Sequence, residues 1–305
     1  MLYWIIKPFI RLALAIFCKK TITKNKELLQ SGGPLLLVAN HPNALMDAII
    51  VGALFKQPVH FLTRGDVFNS SWKRRLLGRL NMVPIYRIRD GIKNLQLNQF
   101  AFNKSHAVLK SNGIVLIFIE GACLHTHELM PFKKGAARIA FNCWHEGIPV
   151  QVLPISVRYN SLFCFGKHVL VNMDKPLIQE ELSIGIDEAK NYLHFNEVIF
   201  QKLYHQLKEL PKENYRNNYL IFLPAIIGKI IHAPLYYPVK AFVKKRTRGN
   251  EFYDSVLFGL LFVLYPIYLL LIVLINLFLT HSVPISLLVC CFVLFTAWCA
   301  VHNKN

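Results

Sequence analysis

The sequence predicts an α/β domain on a mostly parallel sheet with flanking helices, set between a membrane-associated N-terminal helix and a C-terminal transmembrane helical hairpin. Two observations predict it. Through the middle of the chain, apolar runs of strand length alternate with helical stretches, the pattern of parallel crossover units. Towards the end, the 49 residues from Ser255 to Asn303 contain no Asp, Glu, Lys or Arg.

The chain has 305 residues, 54% hydrophobic and 17% charged, with 35 Lys and Arg against 17 Asp and Glu and a formal net charge of +18. An ordinary soluble protein is about 25% charged. A chain this apolar does not remain disordered. Being both basic and apolar, it suits a partner that is greasy and anionic, and a membrane surface fits that better than nucleic acid.

Met1 to Phe17 reads as an interfacial or half-inserted helix, with Tyr3 and Trp4 at one end and Lys19 and Lys20 at the other. Lys7 and Arg11 interrupt its apolar run, and no basic region precedes it, so it is not a signal peptide. This segment covers residues 1–20, and the α/β domain covers 30–210. Leu35 to Ala39 is a buried-strand pattern, followed by Asn40-His41-Pro42-Asn43, a turn and helix start. Val59 to Leu62, Gly113 to Ile119, Val150 to Val157 and Lys167 to Met173 read as further strands, and Arg87 follows another short apolar one. Leu95 to Lys110 and Lys134 to His145 read as helices. His41, Arg87 and Glu120 each come directly after a strand, where open parallel sheets collect their chemistry.

Residues 219–250 form a membrane-surface and basic segment. Tyr219 to Val243 is greasy, but Pro224, Pro234 and Pro238 break it, so it is expected to lie on the membrane rather than cross it. Over 256–301 the hairpin has two spans, Val256 to Leu279 and Val283 to Val301, of 24 and 19 residues. At the helical rise these reach about 36 Å and about 28 Å, against a bilayer core of about 30 Å. Pro266 is a candidate kink in the first, and Thr280-His281-Ser282 forms the turn. Lys240, Lys244, Lys245, Arg246 and Arg248 precede the first span, and the connecting turn has no Lys or Arg. The positive-inside rule then puts the catalytic domain on the cytoplasmic side. Seven cysteines without a CxxC pair argue against a disulfide framework or a zinc knuckle.

Several residues can carry chemistry. His41 at a strand end, with Asp47 one or two turns into the next helix, suits a general base with a carboxylate that orients it. No GxSxG is present, so a substrate hydroxyl is the expected nucleophile. Arg87 suits a phosphate clamp through its forked guanidinium. Arg64 and Lys73-Arg74-Arg75 add positive charge, the latter run reading as a solvated or lipid-facing surface. Glu120-Gly121 ends an apolar strand and suits the grip of a hydroxyl, and Lys133-Lys134 before Gly135-Ala136-Ala137 suits an anion at a helix start.

Taken in order, four strings resemble the four blocks of the glycerolipid acyltransferase family, which includes the 1-acylglycerol-3-phosphate and glycerol-3-phosphate acyltransferases. They are Asn40-His41-Pro42-Asn43-Ala44-Leu45-Met46-Asp47, Val83-Pro84-Ile85-Tyr86-Arg87, Phe118-Ile119-Glu120-Gly121 through Phe132-Lys133-Lys134-Gly135-Ala136, and Val152-Leu153-Pro154-Ile155. The resemblance implies that family's α/β fold and acyl transfer from acyl-CoA or acyl carrier protein to a glycerol hydroxyl, with no cofactor beyond that co-substrate. It implies that His41 is the base and Asp47 its partner, that Arg87 and Lys133 meet the acceptor phosphate, and that Glu120 and Gly121 position the glycerol. Arg64 joins them as a substrate contact, and Pro154 shapes the site floor. Five residues separate His41 from Asp47 where the family usually has four, Ile119 replaces the usual Pro, and Ala122 or Cys123 stands where Thr or Ser is common.

Two other classes remain open on sequence. His125-Thr126-His127-Glu128 with His145 could form the metal site of a membrane hydrolase. A lipid-binding protein with the same scaffold and no catalysis is the other. The expected partners are membrane lipids and the acyl donor, with no nucleic acid and no metal.

Overall fold

The computed structural model describes residues 2–86, 96–163, 165–210, 219–248 and 250–303. Seven strands form one sheet: β1 (Cys18–Thr23), β2 (Leu35–Ala39), β3 (Val59–Arg64), β4 (Met82–Ile85), β5 (Ile114–Phe118), β6 (Gln151–Tyr159) and β7 (Lys167–Met173). Their order is β1-β7-β6-β2-β5-β3-β4. Every neighbouring pair is parallel except β6 and β7. The strand β1 has no counterpart in the sequence reading. Its six residues, CKKTIT, carry two lysines on a sheet edge and lack the buried-strand pattern.

Central β2 is buried on both faces. Leu35, Leu37 and Ala39 point into one apolar layer, and Leu36 and Val38 into the other. The second layer is closed by three helices: α4 (Asn98–Lys110) and α5 (Gly135–His145), and, through Tyr192, Phe195, Ile199 and Leu203, α7 (Glu188–Leu207). Short helix α3 (Ser71–Arg79) lies outside both layers with no residue buried, and short helix α6 (Gln179–Leu182) puts Leu182 into the second. The first layer is closed by α2 (Leu45–Leu54) and by parts of two long apolar helices, α8 (Phe222–Thr247) and α9 (Tyr253–Thr280). Val239 and Val243 come from α8, and Tyr253, Leu257 and Phe258 from α9. The sheet is therefore packed directly on the base of the C-terminal hairpin.

Helix α1 (Leu2–Phe17) exposes Trp4, Ile5, Phe9 and Leu12. Its two cations have a structural use that spacing does not reveal. Lys7 Nζ donates to the carbonyls of Phe55 and Lys56, and Arg11 Nε to that of Ala53 at 2.6 Å. These carbonyls end α2, so the pair caps a helix C-terminus and meets its negative dipole end.

Helices α9 and α10 (Val283–His302) are long and apolar enough to cross a membrane. Only 6% of the apolar window of α9 is buried, which is unlike a soluble core helix. Pro266 lies inside a continuous α9. One expectation is corrected: α8 is a single helix of 26 residues with Pro234 and Pro238 inside it. Packing overrides the proline penalty. A Cβ on Gly228 would come within 2.1 Å of the Thr296 carbonyl oxygen, so the backbones of α8 and α10 touch there. That close seam holds the helix together although two ring nitrogens donate nothing.

Candidate active site

The site lies at the carboxyl ends of β2 and β5, adjacent parallel strands whose last residues Ala39 and Phe118 are in register. That register sets His41, two residues past β2, beside the segment leaving β5. The imidazole lies flat on the Phe118 ring, with centroids 3.7 Å apart and planes at 13°. His41 Nδ1 is 2.9 Å from Asp47 Oδ2. A carboxylate only accepts, so Nδ1 carries the proton and Nε2 is left as the basic nitrogen. The His41 side chain is 18% exposed and that of Asp47 is fully buried, which suits a base that meets substrate and an orienting group that does not.

Asp47 receives three hydrogen bonds. Besides His41, the backbone N–H of Asn43 donates to Oδ2 at 2.8 Å and the Tyr159 hydroxyl to Oδ1 at 2.6 Å. Burial, then the Asp47 charge, holds the Tyr159 hydroxyl well above its ordinary pKa, so it remains a donor. The extra residue between His41 and Asp47 is absorbed in the turn entering α2, where Ala44 takes φ 45°. Such a backbone is unfavourable without glycine. It is held by the Ala44 N–H, which donates to Cys123 Sγ at 3.0 Å. Burial raises the Cys123 thiol to about 12, with the Asp47 charge adding to it, so it is a poor nucleophile.

Glu120 is 4% exposed. Its carboxyl is raised to about 7, chiefly by burial, against partial relief from the backbone N–H groups of Met130 and His41. It therefore sits beside the His41 backbone. Gly121 has φ +66°, and a Cβ there would sit 3.0 Å from Lys133 Cγ. The Lys133 backbone N–H donates to Ile119 at 2.8 Å, so the exposed lysine is folded back against the strand end. Pro154 on β6 pairs in register with Val38 of β2, and its carbonyl receives Gln206 Nε2 at 3.3 Å.

The structure thus brings together His41, Asp47, Glu120, Gly121 and Lys133. Arg64 is engaged elsewhere: it forms a two-point pair with Asp66 at 3.1 and 2.5 Å, 5.7 Å from the Phe252 ring. Arg87 lies outside the described residues. The histidine cluster does not form the metal site of the alternative hydrolase reading. Among the described residues no three His, Cys, Asp or Glu side chains come together to hold an ion. His125 Nε2 instead meets the Leu162 carbonyl at 3.2 Å, and His145 closes α5.

Sequence reasoning missed Tyr159, Asn43 and Asp254. Asn43 Nδ2 donates to Asp254 Oδ2 at 2.7 Å, and Asp254 is also ion-paired with Lys167. The one signal available was that Asp254 is the last charged residue before the apolar tail. Beside this network an apolar cavity of about 1120 Å³ opens between α1, α8, α9 and α10, bounded by Leu12, Tyr236, Tyr253, Phe262 and Leu269.

With this geometry in place, comparison with known proteins adds the following. The sequence profile of the Acyltransferase family matches residues 20–158. A probable 1-acyl-sn-glycerol-3-phosphate acyltransferase of Mycoplasma genitalium is 23% identical over 200 residues, 64% of this chain and 70% of that protein. A protein of the same description from Mycoplasma pneumoniae is 23% identical over 123 residues, 39% of this chain and 44% of that protein. The crystal structure of the 1-acyl-sn-glycerophosphate (LPA) acyltransferase PlsC from Thermotoga maritima aligns over 68% of this chain and 82% of its own, with TM-score 0.49 and 17% identity.

Proposed function

We propose that this chain, which is similar to the Acyltransferase family over residues 20–158, is a glycerolipid acyltransferase that transfers a fatty acyl group from an acyl thioester to the free hydroxyl of lysophosphatidate. The observation that carries the reading is the His41–Asp47 pair at 2.9 Å, with Nε2 free to take a proton. The relatives' printed descriptions favour lysophosphatidate over glycerol-3-phosphate as acceptor.

In the proposed reaction Nε2 of His41 removes the acceptor hydroxyl proton as the oxygen attacks the thioester carbonyl. A C–O bond forms, the tetrahedral oxyanion collapses, the C–S bond breaks, and the imidazolium returns its proton to the departing thiolate. A positioned base of this kind contributes about 10²–10⁴-fold. Asp47, fixed by Asn43 and Tyr159, keeps the ring in the right tautomer and stabilises the imidazolium as it forms. Glu120 receives the glycerol, Lys133 lies at its phosphate end, and Arg87 is assigned there as well. The donor is acyl-CoA or acyl carrier protein, and the apolar cavity between α1, α8, α9 and α10 is assigned to its chain. The hairpin inserts in the bilayer, with the basic residues from Lys240 to Arg248 and the catalytic domain on the cytoplasmic side.

The test is acyl transfer in detergent micelles. Labelled lysophosphatidate and glycerol-3-phosphate are offered separately with acyl-CoA and acyl carrier protein donors, beside His41→Ala. Phosphatidate formed from lysophosphatidate, lost at least 100-fold in the variant, is the expected result. Product from glycerol-3-phosphate alone would move the acceptor, and wild-type rates in His41→Ala would overturn the mechanism.

A further inference from the structure

We infer that Asp254, in the first turn of the apolar hairpin, is a positioning residue for acyl transfer, so that the hairpin is a working part of the active site as well as an anchor. The inference rests on the reading of His41 as the base.

Asp254 is 1% exposed, and Asn43 and Lys167 are fully buried. Two arms run from the Lys167–Asp254 pair to Asp47. In the first, Asp254 Oδ2 accepts the Asn43 side-chain amide at 2.7 Å, and the Asn43 backbone N–H donates to Asp47 Oδ2 at 2.8 Å. That oxygen is the one that holds His41. In the second, Lys167 Nζ lies 5.2 Å from the centre of the Tyr159 ring, and the Tyr159 hydroxyl donates to Asp47 Oδ1. Asp254 thus reaches the base through three hydrogen bonds, the first of them spanning 211 residues of chain to Asn43.

A buried ion pair is a poor device for stability alone, since its desolvation penalty often exceeds its attraction and an apolar pair serves as well. What it provides here is a fixed acceptor for the Asn43 amide. Asn43 leads into Ala44 at φ 45°, a strained backbone held by these hydrogen bonds together with that from the Ala44 N–H to Cys123. Release would carry the Asn43 N–H off Asp47 and leave the imidazole loosely oriented. The residue comes from outside the 20–158 acyltransferase match, on a helix with no buried residue beyond Phe258. Seating of the hairpin and alignment of the base are therefore one event.

The experiment uses the full chain in detergent with four variants: Asn43→Ala, the pair Lys167→Met with Asp254→Leu, the triple, and Lys167→Met with Asp254→Asn. The pair removes both charges together and leaves no lone buried ion. We expect the folded pair variant and Asn43→Ala each to lose at least tenfold in kcat, with KM for the acyl donor within about twofold. The triple should be no worse than the pair variant, because Asn43→Ala cuts an arm that the pair variant has already lost. Lys167→Met with Asp254→Asn keeps an oxygen acceptor for the Asn43 amide without a lone buried charge, and should stay within about threefold of wild type. Losses that multiply in the triple, or a lowered Tm with unchanged kcat, would overturn the inference. If the pair variant fails to fold, Asn43→Ala, which leaves the ion pair intact, carries the same test.

Amide hydrogen exchange gives a readout independent of turnover. Exchange over residues 41–47 should quicken at least tenfold in the pair variant and in Asn43→Ala, and unchanged protection there would overturn the inference. A wild-type chain that acylates no acceptor would sink the function proposed above, while the exchange measurement would still decide whether Asp254 positions the turn.

Discussion

The imidazole of His41 stacks face to face on Phe118, 3.7 Å between centroids and 13° from parallel. Phe118 ends β5 and His41 follows the neighbouring β2 by two residues, and the pairing of Ala39 with Phe118 makes the stack a consequence of sheet register. The ring is thus fixed by a flat apolar surface on one side and by the Asp47 carboxylate at its edge. Phe118→Ala removes the surface and leaves the hydrogen bond. It is expected to lower kcat about tenfold, while Phe118→Tyr stays near wild type. Steady-state kinetics of the two variants checks this, and equal activity in Phe118→Ala would show that the stack has no part in orienting the base.

Tyr159→Phe deletes one of the three donors to Asp47 and leaves the ring in place. A hydrogen bond to a charged group contributes about 1.5–3 kcal/mol, and its loss leaves a buried carboxylate oxygen short of a partner. The variant is expected to melt several degrees lower and to keep a measurable but reduced kcat. Thermal melts beside initial rates check both halves.

Glu120 gives a signed pH dependence. Its carboxyl rises from an ordinary value of 4.5 to about 7 in the fold, chiefly through burial. Between those values the folded chain holds a proton that the unfolded chain has released. Glu120 therefore makes stability fall as pH rises through this window and adds no further slope above it. In Glu120→Gln the fall should be shallower than in wild type. Denaturant melts at pH 5, 6, 7 and 8 for both proteins measure the difference, and parallel profiles would mean that the carboxyl does not titrate in this window.

Some of this was legible in the sequence for a simple reason. Leu35–Ala39 and Lys167–Met173 are strands over the ranges their local pattern indicates, because short apolar runs bounded by turns have few other uses. The absence of charge after Asp254 likewise reads directly as the long apolar pair α9 and α10. Helix α8 was less legible, since proline weakens a helix locally while its contacts with α10 are made 60 or more residues further along the chain.

What the sequence determined by itself was the parallel α/β plan, the apolar tail, and which side chains follow strand ends: His41, Asp47 just beyond, and Glu120. These are local facts, set by periodicity and by residue type at a boundary. What only the tertiary structure decided was how those side chains are held. Tyr159 comes to Asp47 across 112 residues and Asp254 to Asn43 across 211, and Arg64 turns to Asp66. Such partners are chosen by burial: a carboxylate removed from water takes whatever donors the packed sheet and helices place around it, and no spacing along the chain records which those are.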